Sequence, residues 1–309
     1  MPNTPEGEDK DMSLAIAGFE EYANAIKTGN VAEAEAAIQK IWQHVAETQD
    51  EEPSPWLEAM HDAHRCAAAF DWPAAEEAYA RAARATADQP GLQCGAYREL
   101  SQFHRLFDRE ALALQTAHLA TEAARRQNIP SMMAVALQVE AALQLNAKDY
   151  PAAWKLIAET FAALEEGPMH NLPRSLALLV RGAYLIEHER FPEAEADLTS
   201  AWGLMEPWSE AHYAGGWQGA FAGWWSATAR LRSKRGDKPG AAAAWREAVA
   251  RRRIIAELPQ LEGPYKHNSL AVALRDLGKA LQDLDAPLAE ESFAESRSLR
   301  GVIGLPPLP

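Results

Sequence analysis

The chain is short of cysteine, long apolar runs and positive charge. Of its 309 residues only Cys66 and Cys94 are cysteines, too few for a disulfide framework. It has no uncharged apolar stretch of about 18 residues, the length that spans a bilayer as a helix. Its 44 acidic and 30 basic side chains leave a net charge of −14, which argues against general nucleic-acid binding. These absences favour a reduced, soluble, cytoplasmic protein that binds neither membranes nor nucleic acid.

The two ends of the chain lack features of ordered or targeted segments. The N-terminus has neither the basic start nor the apolar run of a secretory signal peptide. Residues 1–11 are acidic, polar and contain two prolines, so we expect them to be disordered. Residues 301–309 form a proline-rich tail, in which Pro306 and Pro307 prevent a helix. We expect its last five residues, 305–309, to be frayed, and the alternative is a ligand for a proline-binding groove.

Motifs that carry enzymatic chemistry are missing too. The chain contains no Gly-x-Ser-x-Gly, no phosphate-binding glycine loop and no metalloprotease histidine pair. Glu58-x-x-His61 resembles one half of a helical di-iron site, but the second Glu-x-x-His that such a site needs is absent. We therefore expect no enzymatic activity, no metal site and no cofactor.

Apolar residues at helical spacing are abundant, and strand-like alternation is not. The segment 175–207 illustrates the pattern, because two helical stripes flank a break at Phe191-Pro192. A small residue, Gly182, is followed twelve residues later by Ala194, then by Leu198 and Ala201. Small side chains at these positions would let two antiparallel helices approach closely.

The same spacing recurs along the whole chain. Its clearest other examples are Ala63-Ala75-Tyr79-Ala82 and Ala229-Ala241-Trp245-Ala248. The alanines of the second helices lie 38 to 48 residues apart, at positions 34, 75, 113, 153, 194, 241 and 289. The segments EAYARAA (77–83) and RGDKPGAAAAWREAV (235–249) resemble tetratricopeptide repeats, a family whose repeat is about 34 residues long.

This resemblance implies an all-α fold, a right-handed α-solenoid of about seven antiparallel helix pairs within a repeat domain at 12–300. The first helix of each pair would line a concave surface. The predicted pairs are 12–28 and 31–48, 55–69 and 73–88, 92–107 and 109–127, 131–146 and 150–166, 173–188 and 192–205, 209–235 and 239–257, and 266–283 and 287–300.

The register of the resemblance also selects candidate groove residues on the first helices. Three arginines among them predict a locally positive groove, which suits a carboxylate or another anion. Each arginine could equally form a surface ion pair with a neighbouring glutamate. The lysine and asparagine pattern of the family's carboxylate-clamp members is absent. Gly219 is added to the groove candidates because it belongs to a glycine stripe that is described below. The candidates are His64, Arg98, Gln102, Arg105, Gln138, Gly219, Gly223, Ser226 and Arg230.

The segment 208–232 combines four tryptophans with several glycines. Gly215, Gly219 and Gly223 fall on one helical stripe, and Trp217 and Trp224 fall on roughly the opposite side. Each interior glycine costs about 1 kcal/mol of helix stability relative to alanine, so a compensating contact is expected. Two interpretations remain open: close packing of a neighbouring helix, or room for a ligand.

Basic residues concentrate at 230–253, which holds nine bases and two acids, whereas residues 1–60 hold thirteen acids and three bases. One interpretation is a solvated helix face. The other is a docking patch for an acidic partner, including the acidic end of a second copy, which would make a homo-oligomer. The patch candidates are Arg232, Arg235, Arg251, Arg252 and Arg253.

The favoured function is a non-catalytic scaffold or adaptor that binds a protein or peptide partner through its superhelical groove. The alternative is a ligand- or peptide-sensing regulator of the bacterial tetratricopeptide type. That alternative lacks an effector, because no helix-turn-helix lies beside the repeats.

Overall fold

The computed structural model describes residues 54–166, 171–208, 215–257 and 265–308, and five separate helical residues between 21 and 40. The disordered segment predicted at 1–11 and most of the first predicted pair therefore lie outside the described residues. Within the four continuous ranges every element is helical. The α-helices are α1 (Pro55–Ala68), α2 (Trp72–Ala85), α3 (Pro90–Leu106), α4 (Glu110–Gln127), α5 (Pro130–Asn146), α6 (Tyr150–Glu166), α7 (Asn171–Glu187), α8 (Phe191–Met205), α9 (Gly215–Lys234), α10 (Lys238–Glu257), α11 (Tyr265–Leu281) and α12 (Ala286–Val302).

Prolines and short carboxylates start these helices. Proline occupies the first turn of α1, α2, α3, α5, α8 and α12, where its missing N–H removes no hydrogen bond. The side chains of Asp71, Asp149, Asp237 and Asp285 each accept the backbone N–H three residues further on, at 2.9 to 3.3 Å. These caps satisfy N–H groups that the helix itself leaves unpaired.

One type of turn joins the helices of the first five described pairs. Each turn contains a residue with positive φ, between 56° and 82°. The next N–H then bonds a carbonyl five residues back, as from Asp149 N to Gln144 O at 2.9 Å. This is the Schellman arrangement, which reverses the chain and satisfies the last carbonyls of the first helix. The five residues are Phe70, Asp108, Lys148, Glu189 and Gly236.

The repeated small residues lie where paired helices meet, as their spacing predicts. Ala75 and Ala153 are completely buried. At Gly182 an added Cβ would lie 3.6 Å from Leu198 Cδ2, so there is little room for a longer side chain. The hydroxyl of Ser101 donates to a carbonyl of its paired helix at 2.8 Å. The predicted solenoid of antiparallel pairs is thus confirmed for α1 to α12.

Consecutive first helices also contact one another, in the order α3, α5, α7 and α9, and α11 returns to contact α3. The stack therefore closes on itself at a contact that we call the closing seam. There the guanidinium of Arg300, which is 0% exposed, donates to Asp108 at 3.1 Å, Asn268 at 2.7 Å and the Pro306 carbonyl at 2.8 Å. The remaining members of the seam are Leu106, Ile303 and Leu305, which form one buried apolar cluster.

The seam corrects one expectation about the tail. Ile303 is 0% exposed and Leu305 is 7% exposed, so this part of the C-terminal segment is packed and not frayed. Helix α12 ends at Val302, before the prolines, as expected. Ile303 and Leu305 are apolar, however, and they pack against Leu106 at the end of α3. No helix in the described ranges is long and apolar enough to cross a membrane.

Candidate functional site

The C-terminal ends of α7, α9 and α11 surround an open cleft of about 490 Å³. These are the first helices of three consecutive pairs, on the side where the family resemblance places the concave surface. Trp245 of α10, which is 7% exposed, supplies an apolar wall. We call this surface the basic cleft, and its hydrogen-bonding side chains of interest are Arg230, Ser233, Lys234, Arg275 and Lys279.

The basic cleft carries more positive than negative charge. Its two carboxylates are both engaged, since Glu187 lies 3.6 Å from Lys234 and Asp276 lies 2.7 Å from Arg275. Arg230 is exposed and makes no hydrogen bond or ion pair within the described ranges. Four cations against two anions leave the cleft locally positive in a chain of net charge −14. This arrangement can bind a carboxylate or another anion, with Trp245 available to an apolar neighbour.

The structure distributes the other groove candidates over several helices. Arg98 and Gln102 both lie on α3 and approach the same carboxylate, Glu99, at 3.4 and 3.5 Å. Arg105 is exposed at the end of α3, close to the closing seam. His64 of α1 is exposed, and its ring lies 5.9 Å from that of Tyr79. Gln138 lies partly buried on α5. Of the nine candidates, only Arg230 lines the basic cleft.

The glycine positions of α9 separate into two cases. An added Cβ at Gly223 would lie 3.4 Å from Leu179 Cδ1, so this glycine packs against α7. At Gly219 an added Cβ would meet no atom within 4 Å, so the backbone there borders open space. The Ser226 hydroxyl donates to the Ala222 carbonyl at 2.7 Å and is satisfied within its own helix.

The aromatic side chains of this segment are mainly structural. The rings of Trp208 and Trp217 stack at 5.1 Å, and both are at most 2% exposed. Trp224 is partly buried and donates to the Leu198 carbonyl at 2.7 Å, which ties α9 to α8. The packing interpretation therefore holds for these tryptophans. Helix α9 begins at Gly215, and the predicted helical residues 209–214 lie outside the described ranges.

The five candidate docking arginines do not form one continuous patch. Arg232 and Arg235 lie at the turn between α9 and α10, whereas Arg251, Arg252 and Arg253 lie near the other end of α10, roughly 20 Å along the helix. Arg235 pairs with Glu195 at 2.9 Å and Arg253 with Glu295 at 2.6 Å. Arg232 and Arg251 donate to Gly240 O and to Gln218 Oε1, respectively. Their role in docking stays a prediction.

Comparisons with known proteins are informative at the level of the fold. No family model matches the chain, and no curated protein matches it. A solved structure of Rap protein complexed with Competence and Sporulation Factor is 14% identical, with 94% of this chain and 77% of that chain covered and a TM-score of 0.60. This likeness confirms the predicted tetratricopeptide-like, all-α solenoid. At this identity it shows the fold alone.

Two further solved structures are more distant in shape. A tetratricopeptide repeat protein from Parabacteroides merdae is 16% identical over 82% of this chain and 97% of its own, with a TM-score of 0.40. BtubC (BKLC) from P. vanneervenii is 15% identical over 80% of this chain and 94% of its own, with a TM-score of 0.47.

Sequence reasoning missed most of the basic cleft. Ser233 and Lys234 follow Arg230 by one helical turn, so the register that selected Arg230 could have selected them as well. Arg275 and Lys279 lie on α11, whose match to the repeated spacing is weak because Leu277 occupies the position of the small residue. The structure places Arg275 and Lys279 at the cleft, because α11 packs beside α10 and next to the end of α9.

Proposed function

We propose that the protein is a non-catalytic, cytoplasmic interaction scaffold, and that its basic cleft binds an acidic segment of a protein or peptide partner. The observation that carries the proposal is Arg230, a solvent-exposed cation that has no hydrogen-bond or ion-pair partner in the described ranges and lies among three further cations. A partner carboxylate would form a charge-assisted, two-point hydrogen bond with its guanidinium. The fold supports the proposal, since helical repeats present extended concave surfaces for binding.

The test is binding to an array of short peptides that are matched in length and graded in their content of Asp and Glu. We expect the wild-type protein to bind the acidic peptides, and expect Arg230→Glu to weaken that binding at least tenfold. Arg246→Glu is the matched control, because Arg246 is exposed on α10 but does not line the cleft. Equal loss in both variants would show only a net-charge effect and would contradict the proposal.

A second candidate function is a peptide-sensing regulator, and the closing seam favours it. Helix α11 lines the basic cleft and also contacts α3 at the seam. A ligand that moves α11 would therefore change the contacts at the seam. The similar Rap structure contains Competence and Sporulation Factor, but its likeness concerns the fold. The measurement is amide hydrogen exchange of residues 300–305 with and without a peptide found on the array. If the peptide does not change the exchange rates of these residues, the sensing mechanism is excluded and the scaffold function remains.

A further inference from the structure

A second cavity, of about 310 Å³, lies between α8 and α9. Its volume is at the lower end of the range that small-molecule sites occupy. Thr228 and Arg232 of α9 line this cavity, whereas Arg230 and Ser233 of the basic cleft lie on roughly the opposite side of the same helix. We call the cavity the α8–α9 pocket, and it is separate from the basic cleft.

Part of the pocket wall is apolar. It consists of Leu198 of α8 and of Trp224 and Leu231 of α9, and all three belong to the apolar cluster that these helices share. The indole N–H of Trp224 donates to the Leu198 carbonyl at 2.7 Å, which fixes the position of the ring. A preformed apolar wall of this kind suits the body of a small aliphatic or aromatic molecule.

Thr228 adds a buried hydroxyl group without a partner. The residue is 7% exposed, and its Oγ1 makes no hydrogen bond with any described residue. Helical hydroxyls elsewhere in the protein donate to the carbonyl four residues back, as those of Thr160, Thr199 and Ser226 do at 2.7 to 2.8 Å. A buried hydroxyl that is left unpaired costs folding free energy. Because threonine has two χ1 rotamers in helices, rotation can offer this hydroxyl to a ligand in the pocket.

Arg232 adds a positive charge that no carboxylate of the described ranges balances. It forms no ion pair there, and its one hydrogen bond runs from Nη1 to the Gly240 carbonyl at 3.1 Å. The two carboxylates of the pocket are engaged elsewhere, since Glu195 pairs with Arg235 at 2.9 Å and Asp237 Oδ1 accepts the Gly240 N–H at 2.9 Å. The remaining N–H donors of Arg232 can hold a carboxylate in a two-point geometry.

We propose that the α8–α9 pocket binds a small monocarboxylic acid with a branched aliphatic or aromatic body. Thr228 and Arg232 lie four residues apart on one face of α9, so both side chains can donate to the same carboxylate. The body of the acid then packs against Leu198, Trp224 and Leu231. The pocket uses none of the side chains of the basic cleft, so this site does not depend on the proposed function.

The test is the melting temperature of the full-length protein at constant ionic strength, with phenylacetate or 4-methylpentanoate replacing chloride. For the wild type we expect at least one acid to cause a rise that follows the logarithm of its concentration, of roughly 5 °C at about 100 times Kd. Thr228→Val and Arg232→Gln should each need at least tenfold more acid for the same rise. Thr121→Val is the matched control and should respond like the wild type. The Thr121 hydroxyl is also buried and unpaired among the described residues, but Thr121 lines neither the pocket nor the basic cleft.

Acetate lacks the apolar body and the amides of the two acids lack the charge, so none of them should raise the melting temperature. The proposal is overturned if neither acid stabilises the wild type, if acetate or an amide acts as strongly as the acid, or if Thr228→Val and Thr121→Val respond alike.

The chloride buffer without either acid gives an independent check. There Thr228→Val should melt no lower than the wild type, because the change removes an unpaired buried hydroxyl and keeps the shape of the side chain. A clear drop in that buffer would show that the Thr228 hydroxyl already has a stabilising internal partner, which would also contradict the proposal.

Discussion

At the scale of single residues, the turns between paired helices show what the sequence could and could not predict. The boundaries of the predicted helix pairs place turns at 70–72, 147–149 and 236–238, within one residue of those observed. Left-handed backbone at Phe70 and Lys148 was not expected, because side-chain-bearing residues rarely adopt it. An internal comparison contained the information: Lys148-Asp149-Tyr150-Pro151 aligns with Gly236-Asp237-Lys238-Pro239, in which glycine occupies the left-handed position.

The first prediction follows from this turn. Lys148 is exposed and has φ of 62°, so Lys148→Gly should remove backbone strain without removing a packed side chain. We expect the free energy of unfolding to rise by about 0.5 to 1 kcal/mol. Urea denaturation measures it, and Lys148→Ala, which keeps the Cβ, is the control. A stability gain in the alanine variant as large as in the glycine variant would contradict the explanation.

The second prediction concerns acid sensitivity at His104. This side chain is 4% exposed, and its buried Nδ1 has no hydrogen-bond partner among the described residues. Burial lowers the pKa of His104 below 6.5, Glu76 opposes the shift and Arg109 adds to it. The unfolded chain therefore takes up a proton more readily than the folded one as the pH falls through about 6.5. Folding stability contributed by His104 is present above that pH and is lost below it.

His104→Gln removes this titration and keeps a polar side chain of similar length. We expect the loss of unfolding free energy between about pH 7.5 and pH 5 to be smaller in the variant than in the wild type. Urea denaturation at both pH values measures the difference. If the two proteins lose equal stability over this interval, His104 is not the group responsible.

At the scale of elements, the glycines of the first helices divide into exposed and packed positions. The sequence left two interpretations of the glycine stripe of α9 open: close packing of a neighbouring helix, or room for a ligand. The structure shows packing at Gly223 and open space at Gly219, and a ligand at Gly219 stays a prediction. The sequence of α9 alone could not show which glycine is packed and which is open, because this depends on which neighbouring helix reaches each position. Among the glycines of the first helices that the structure describes, the most restrictive is Gly278 on α11, where an added Cβ would be 2.6 Å from the Phe293 ring.

The third prediction compares alanine substitutions at these two sites. Gly219→Ala should raise the free energy of unfolding by about 0.5 to 1 kcal/mol, since it restores helix propensity in open space. Gly278→Ala should lower it by about 1 to 3 kcal/mol, because the new methyl group must displace Phe293. Denaturant midpoints measure both. Stabilisation by Gly278→Ala would mean that α11 and α12 are packed less closely than described.

At the scale of the whole molecule, the helix pairs were predictable and their closure was not. Pair boundaries follow from prolines, turns and alanines that are local in sequence, and the predicted ranges differ from the observed helices by a few residues at most of the described ends. The seam joins Arg300 to Asp108, 192 residues away. No periodic pattern connects such distant residues. The same limit explains why the α11 side of the basic cleft was missed.

The fourth prediction tests the closing seam. Ile303→Ala and Leu305→Ala should each lower the free energy of unfolding by about 2 to 4 kcal/mol, because both side chains are buried against Leu106. Val302→Ala is the matched control: Val302 is 61% exposed and should change stability by about 0.5 kcal/mol or less. Small-angle scattering of the Ile303→Ala variant should also show a larger radius of gyration. Equal effects of the three changes would mean that the seam does not hold the solenoid closed.

The central claim is that the partner binds in the basic cleft. Its most direct test places a photo-crosslinking amino acid at Ser233, within the cleft, or at Ala243, an exposed position of α10 outside it. Both proteins are irradiated in native cells, and the crosslinked peptides are identified by mass spectrometry. We predict adducts with Asp- and Glu-rich segments from position 233, which disappear when Arg230→Glu is added. Adducts that are the same from both positions, or that persist with Arg230→Glu, would contradict the claim.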